Sequence, residues 1–120
     1  MNPRRFWQSF KDAKRGIGQV FKSEQNFRIQ TAAAVLALSA AIFFGLSRSE
    51  FVLVIFLVVA VIILELINSA VEKFADLLKP RLSHQIEVVK DIMAGVVFLA
   101  AIGALVIGLI IFWPYLLALI

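Results

Sequence analysis

The stretch FVLVIFLVVAVIILELINSAVEKFAD, residues 51–76, decides the fold. Its first 14 residues, 51–64, are all apolar, and the apolar character resumes after Glu65 through Leu66, Ile67, Ala70 and Val71. A membrane-crossing helix needs about 20 mostly apolar residues. On a helix of 100° per residue, with Glu65 at zero, Asn68 falls at about −60°, Glu72 at about −20° and Asp76 at about +20°. One amide and three carboxylates therefore share an arc of roughly 80°. The stripe runs from the helix end to a depth of roughly 16 Å at the helical rise. Glu65 is flanked by Ile63, Leu64, Leu66 and Ile67. A carboxylate buried there is costly, so function is its first reading.

Working outward, two further apolar runs cover residues 31–46 and 92–120. The link Ser47-Arg48-Ser49-Glu50 is short, which makes the first two helices an antiparallel hairpin. Between the second and third runs, Pro80 breaks the helix and residues 78–83 read as a turn. Trp113 and Tyr115 suit a water interface. The expectation is an all-α integral membrane protein with three transmembrane helices over about 27–46, 51–76 and 87–113.

Bulk composition agrees. Of 120 residues, 62% are hydrophobic and 17% charged, and the mean hydropathy is +0.95. A soluble domain carries about 25% charged residues, and so short a chain has too little interior to hide this much apolar surface. Disorder is excluded on the same ground. One unit spanning 1–120 is expected. There is no cysteine, so disulfides, thiolate metal sites and cysteine nucleophiles are excluded. The net charge of +4 suits nucleic acid or an anionic membrane surface, and the apolar runs select the membrane.

Eleven of the 12 basic residues place the chain across that membrane. Arg4, Arg5, Lys11, Lys14, Arg15, Lys22 and Arg28 precede the first span; Lys73, Lys79, Arg81 and Lys90 flank the second link; Arg48 stands alone on the other side. The basic side is cytoplasmic by the positive-inside rule, with the C-terminus outside. The N-terminus lacks the apolar core and small-residue cleavage site of a signal peptide. Phe6, Phe10, Ala13, Ile17 and Val20 or Phe21 recur instead at helical spacing. An amphipathic helix over about 4–22 is expected on the cytoplasmic membrane surface. A plain basic anchor is the simpler alternative.

Two more polar clusters lie toward the same side. Glu87, Lys90 and Asp91 fall at 0°, about −60° and about +40° on one helix face, and Lys90 is suited to neutralising phosphate charge. A solvated helix start is the plainer reading of Glu87. Glu24, Asn26 and Arg28 open the first span, and Glu24 and Arg28 have the spacing of a local ion pair. Carboxylates as close as Glu65, Glu72 and Asp76 repel one another, and a hard divalent cation such as Mg²⁺ would relieve that. The alternative is that Glu72 and Asp76 sit in water beside Lys73 and Lys79. His84 is the only histidine. No phosphate-loop motif occurs, and Gly16-Ile-Gly18 is too short for a nucleotide fingerprint.

These clusters carry a resemblance. Glu65-Leu-Ile-Asn-Ser-Ala-Val-Glu-Lys-Phe-Ala-Asp76, followed by Lys90-Asp91, resembles the signature of the prokaryotic diacylglycerol kinase family. Phe21-Lys-Ser-Glu-Gln-Asn-Phe-Arg28 is similar to the family's approach to its first span, and the likeness covers about residues 6 to 112. Asp91-Ile-Met-Ala-Gly95 is closer to the undecaprenol kinase branch. His84 stands eight residues after Asp76, where the family usually has seven, and Val89 stands where it often has alanine.

The resemblance implies a homotrimer in the bacterial cytoplasmic membrane that phosphorylates a lipid alcohol, undecaprenol or diacylglycerol, from MgATP. It makes Glu65 the general base and Glu24 and Glu72 the Mg²⁺ ligands. Asn68, Asp76, Lys90 and Asp91 would serve the nucleotide. Small residues (Ala32, Ala33, Ala34 and Ala37; Ala100, Gly103, Ala104 and Gly108) permit close helix packing without fixing the subunit number. Two non-kinase readings compete: a holin-like pore, and a small cation transporter using Glu65 as a proton site. Both leave the Lys90-Asp91 pair unexplained.

Overall fold

A computed structural model describes residues 2–78, 81 and 83–120. Its described residues form four helices and no strand: α1 (Pro3–Ser23), α2 (Gln25–Phe44), α3 (Arg48–Leu78) and α4 (Ser83–Ala118). The last three are each long and apolar enough to cross a membrane. Of the turn expected around Pro80, only its flanks and Arg81 fall within the described residues.

α1 begins where its sequence dictates. Pro3 occupies the first helical turn, and Asn2 caps it by accepting from the Arg4 N–H at 3.0 Å. No residue of α1 is buried. Its aromatic face, with Trp7 and Phe10 stacked at 5.5 Å, is left without protein cover. That is the pattern of a helix made to lie on a lipid surface.

The α2–α3 connection is shorter than the sequence suggests. Gly45 ends α2 in the left-handed region (φ 65°, ψ 47°), and the Leu46 N–H reaches back to Ala41 O at 3.2 Å. Ser47 then starts α3 through a reciprocal capping box. Its N–H donates to Glu50 Oε1 at 3.1 Å, and the Glu50 N–H donates to Ser47 Oγ at 3.3 Å. Arg48, Ser49 and Glu50 therefore belong to α3 rather than to the link. The Tyr115 hydroxyl also donates to Glu50 Oε1, fastening the far end of α4 to the start of α3.

α3 and α4 have 31 and 36 residues, against the 20 or so that a bilayer core needs. The surplus carries the polar residues: Glu72, Lys73 and Asp76 late in α3, and Glu87, Lys90 and Asp91 early in α4. Consecutive helices bring those two ends together. The interior is small, and large side chains such as Phe43 (76% exposed) and Leu36 (71%) point outward. The radius of gyration, 17.8 Å, exceeds the roughly 14 Å of a soluble domain of this length. A chain with so little core depends on lipid to cover its apolar faces.

Candidate functional site

The site is assembled where α1 meets α2, against the polar end of α3. Glu24 is the one residue between α1 and α2 and adopts extended backbone (φ −113°, ψ 111°). Breaking the helix there turns the chain from the surface direction into the span. It also projects the Glu24 carboxylate toward α3. The Ser69 hydroxyl reaches Glu24 Oε1 at 3.5 Å, and the Lys73 ammonium lies 3.5 Å from the same oxygen. Lys73 also donates to Ser69 Oγ at 3.4 Å. These are long contacts, a loose polar knot rather than tight hydrogen bonds.

One turn deeper lies Glu65, only 5% exposed. It lines a cavity of about 290 Å³ with Asn26, Gln30 and Asn68 on the polar side and Val97 and Phe98 of α4 on the apolar side. The Gln30 side chain hydrogen-bonds to Glu65, and Glu24 and Glu72 lie close enough for their charges to act on it. Ser69 (2% exposed) is the other buried polar residue of the described chain. A second, larger apolar cavity runs from Gln30 away from the polar end, between α2, α3 and α4. Gln30 and Ala101 line both cavities, so the apolar and polar spaces adjoin near Glu65.

Further out, Lys90 Nζ lies 3.4 Å from Asp76 Oδ1, joining α4 to α3. The Lys90 side chain is 22% exposed and that of Asp76 is 63% exposed. Asp91 and His84 are exposed on α4, and Glu72 is half-buried one turn from Ser69.

The structure thus gathers Glu65 and Asn68 in one cavity, Glu24 with α3, and Asp76 with Lys90. It departs from the sequence reading in one pairing: Arg28 does not hold Glu24. The spacing of an ion pair requires helix through both residues, and Glu24 is extended. Lys73 takes that place, and Arg28 instead donates to Phe21 O and Lys22 O, at 2.8 and 2.9 Å. Three contributors were missed as such. Ser69 and Gln30 are ordinary polar residues by sequence, and Lys73 reads as a solvated helix-end cation. The helical phase of Ser69 and Lys73, four residues apart, was the available signal.

The donor chemistry fits a hard divalent cation. Among the described residues no three acidic or histidine side chains converge into a ready-made cage. Mg²⁺ ordinarily needs only one or two carboxylates, keeping waters and taking phosphate oxygens for the rest. Glu24 and Glu72 offer two such carboxylates, both close enough to Glu65 for their charges to act on it.

Comparison with known proteins identifies the family of the chain as a whole. A model of the prokaryotic diacylglycerol kinase family matches residues 11–112. The chain is 36% identical to the undecaprenol kinase of Bacillus subtilis (strain 168) over 110 residues, 92% of this chain and 89% of that protein. It is also 36% identical to a diacylglycerol kinase of Synechocystis over 112 residues, covering 92% of this chain and 64% of that longer protein. These matches disfavour the pore and transporter readings. A three-span chain with a buried glutamate at its polar end, matched by that family model over most of its length, is a lipid kinase and belongs to the prokaryotic diacylglycerol kinase family.

Proposed function

We propose that this lipid kinase moves the γ-phosphoryl group of ATP to the hydroxyl of undecaprenol or diacylglycerol at the cytoplasmic face of the bacterial inner membrane. The observation that carries the reading is the position of Glu65. It is buried among apolar residues, yet it lines a cavity with polar side chains that adjoins the apolar groove between α2, α3 and α4. A lipid alcohol lying with its chain in the apolar groove presents its hydroxyl there.

Glu65 takes the hydroxyl proton onto a carboxylate oxygen as the lipid oxygen bonds to the γ-phosphorus. The bond from that phosphorus to the bridging oxygen breaks, and ADP leaves with the electron pair. Asn68 and Gln30 hold the Glu65 carboxylate and the incoming hydroxyl. Lys90, steadied by Asp76, lies where phosphate charge would be met, and Asp76 and Asp91 border the nucleotide. Glu24 and Glu72 would hold Mg²⁺, which when bound supplies charge neutralisation on the phosphate oxygens. The dry side of the cavity strengthens each of these charge interactions.

The distribution of basic residues supports a cytoplasmic N-terminus and an external C-terminus. Partly exposed small residues on α2 and α4, among them Ala34, Ala37, Gly103 and Gly108, are compatible with a homotrimer. Between the two lipids, undecaprenol is the first choice, because the undecaprenol kinase relative matches over nearly its whole length. The test is a panel of undecaprenol, farnesol and diacylglycerol in lipid vesicles with γ-labelled ATP. Transfer to at least one, abolished by Glu65→Gln, is expected; no transfer to any lipid alcohol overturns the proposal.

A further inference from the structure

Arg28 has no part in the chemistry above, yet its side chain is held by two hydrogen bonds. Nη1 donates to Phe21 O at 2.8 Å and to Lys22 O at 2.9 Å. Both carbonyls belong to the last turn of α1, where the helix runs out of its own donors. A cation there also meets the negative end of the helix dipole. The Arg28 N–H meanwhile donates to Glu24 O at 3.3 Å, within the first turn of α2. One residue therefore grips the end of α1 with its side chain and the start of α2 with its backbone. Glu24 lies between the two grips.

A second contact reinforces the first. Phe21 of α1 and Phe27 of α2 meet edge to face, with centroids 6.3 Å apart and planes at 89°. Phe27 is buried, whereas nothing on α1 is. α1 therefore has few packing contacts that fix its direction relative to the spans. The extended backbone at Glu24 has two soft torsions, and a swing of α1 about ψ would carry the Glu24 carboxylate away from Ser69 and Lys73.

We infer that Arg28 is a positioning residue: by clasping the α1–α2 junction it sets the angle of the surface helix and holds the Glu24 carboxylate in place for the metal–phosphate complex. This rests on the reading of Glu24 as a metal ligand. A direct phosphate contact by Arg28 is the competing role: Nη1 is engaged on backbone carbonyls, so such a contact would fall to Nη2 or Nε, and it would leave the α1–α2 angle unchanged when Arg28 is replaced. Lysine in its place keeps the charge but not the planar Nη1 amino group, held rigid in the guanidinium, whose two N–H bonds reach the two adjacent carbonyls.

The chain contains no cysteine, so nitroxide labels can be placed singly on α1 and α2. Lys11→Cys and Leu36→Cys, both at exposed positions, are labelled in the full chain, diluted with unlabelled protein and reconstituted in vesicles. Pulsed electron spin resonance then reads the α1–α2 distance distribution. Mn²⁺ binding in the presence of a non-hydrolysable ATP analogue is measured on the unlabelled variants.

Arg28→Gln is expected to broaden the distance distribution and to weaken Mn²⁺ binding by about tenfold or more, the usual effect of losing a group that orients a ligand. Arg28→Lys is expected to give a smaller change of both kinds. An unchanged distribution with unchanged Mn²⁺ affinity in Arg28→Gln overturns the proposal. So does a weakened affinity for the analogue alone with the distance unmoved, which marks a phosphate contact. If Arg28→Gln does not fold, Arg28→Lys decides by the same two readings. Glu24→Gln separates the underlying assumption: it should lose Mn²⁺ with the distance intact. If it binds Mn²⁺ as the parent does, it is the ligand reading that fails, and the clasp is judged on distance.

Discussion

The Tyr115 hydroxyl donates to Glu50 Oε1 at 2.5 Å across 65 positions of sequence. This contact closes the bundle at the end opposite Glu65. Glu50 is already engaged by Ser47 in the capping box, so one carboxylate serves both the start of α3 and the end of α4. Hydrogen bonds to an ionised acceptor are short and strong. Tyr115→Phe is therefore expected to lower the thermal unfolding midpoint in detergent by several degrees. Activity per folded molecule should stay within about twofold, since distant sites are usually independent. A large fall in activity without loss of stability would contradict the separation of the two ends.

Glu65→Gln preserves shape and removes the proposed proton acceptor. Lipid phosphorylation should fall by about 10² to 10⁴, with nucleotide binding retained. Single-turnover transfer from labelled ATP, measured beside equilibrium binding of an ATP analogue, checks both halves. Transfer at the parent rate would remove Glu65 from the role of base.

Lys73 occupies the Glu24 carboxylate at 3.5 Å, so a divalent cation must compete with it. Lys73→Gln should lower the Mg²⁺ concentration for half-maximal activity. The Lys73 side chain is 53% exposed, so solvent screening keeps the effect modest, between about 1.5- and 5-fold. A Mg²⁺ titration of the two proteins decides, and a higher requirement in the variant would mean that Lys73 assists binding.

Lys90→Met removes a cation whose carboxylate partner, Asp76, is largely exposed. Stability should change little, because exposed pairs are weak. The KM for ATP is expected to rise by tenfold or more, the size of a lost charge-assisted contact of about 1.5–3 kcal/mol. Steady-state kinetics at saturating lipid, paired with thermal unfolding, tests the contrast.

Gly45→Ala places a β-carbon on a backbone with φ of 65°. Apart from its own and neighbouring backbone, no atom lies within 4 Å of that carbon, so the cost is conformational, about 1–2 kcal/mol. Chemical unfolding in mixed micelles should register that loss, while Gly45→Asn should lose less. An unaffected alanine variant would mean that the α2–α3 link re-forms as another turn.

Much of this architecture is legible in local sequence. The burial of Glu65 follows from four apolar neighbours, and the aromatic face of α1 follows from the spacing of Phe6, Phe10 and Ile17. The sharing of one helix face by Glu65, Asn68, Glu72 and Asp76 follows from helical phase alone. What local pattern does not carry is partner choice across helices. The plainer alternative for Glu24, an ion pair with Arg28, assumed helix through both, and the single extended residue at Glu24 removed it. Lys73 and Ser69 join the site only because α2 happens to deliver Glu24 to their level. Tyr115, read as an interface aromatic, gains its partner from the return of α4 past the capped start of α3. Such pairings depend on the relative height of whole helices, which no window of sequence encodes.

That height has a further consequence through α2. With 20 residues, or about 30 Å of rise, α2 matches an average bilayer core and has no spare length, while α3 and α4 overhang it. It is bounded by Glu24 at one end and Gly45 at the other, both non-helical, so it cannot lengthen by recruiting neighbours. α2 therefore acts as a ruler laid across the membrane. In a thicker bilayer the ruler falls short and draws Glu24 toward the acyl region; in a thinner one it tilts. Activity is therefore expected to change with the acyl-chain length of the surrounding bilayer, which reconstitution in lipids of graded thickness would measure.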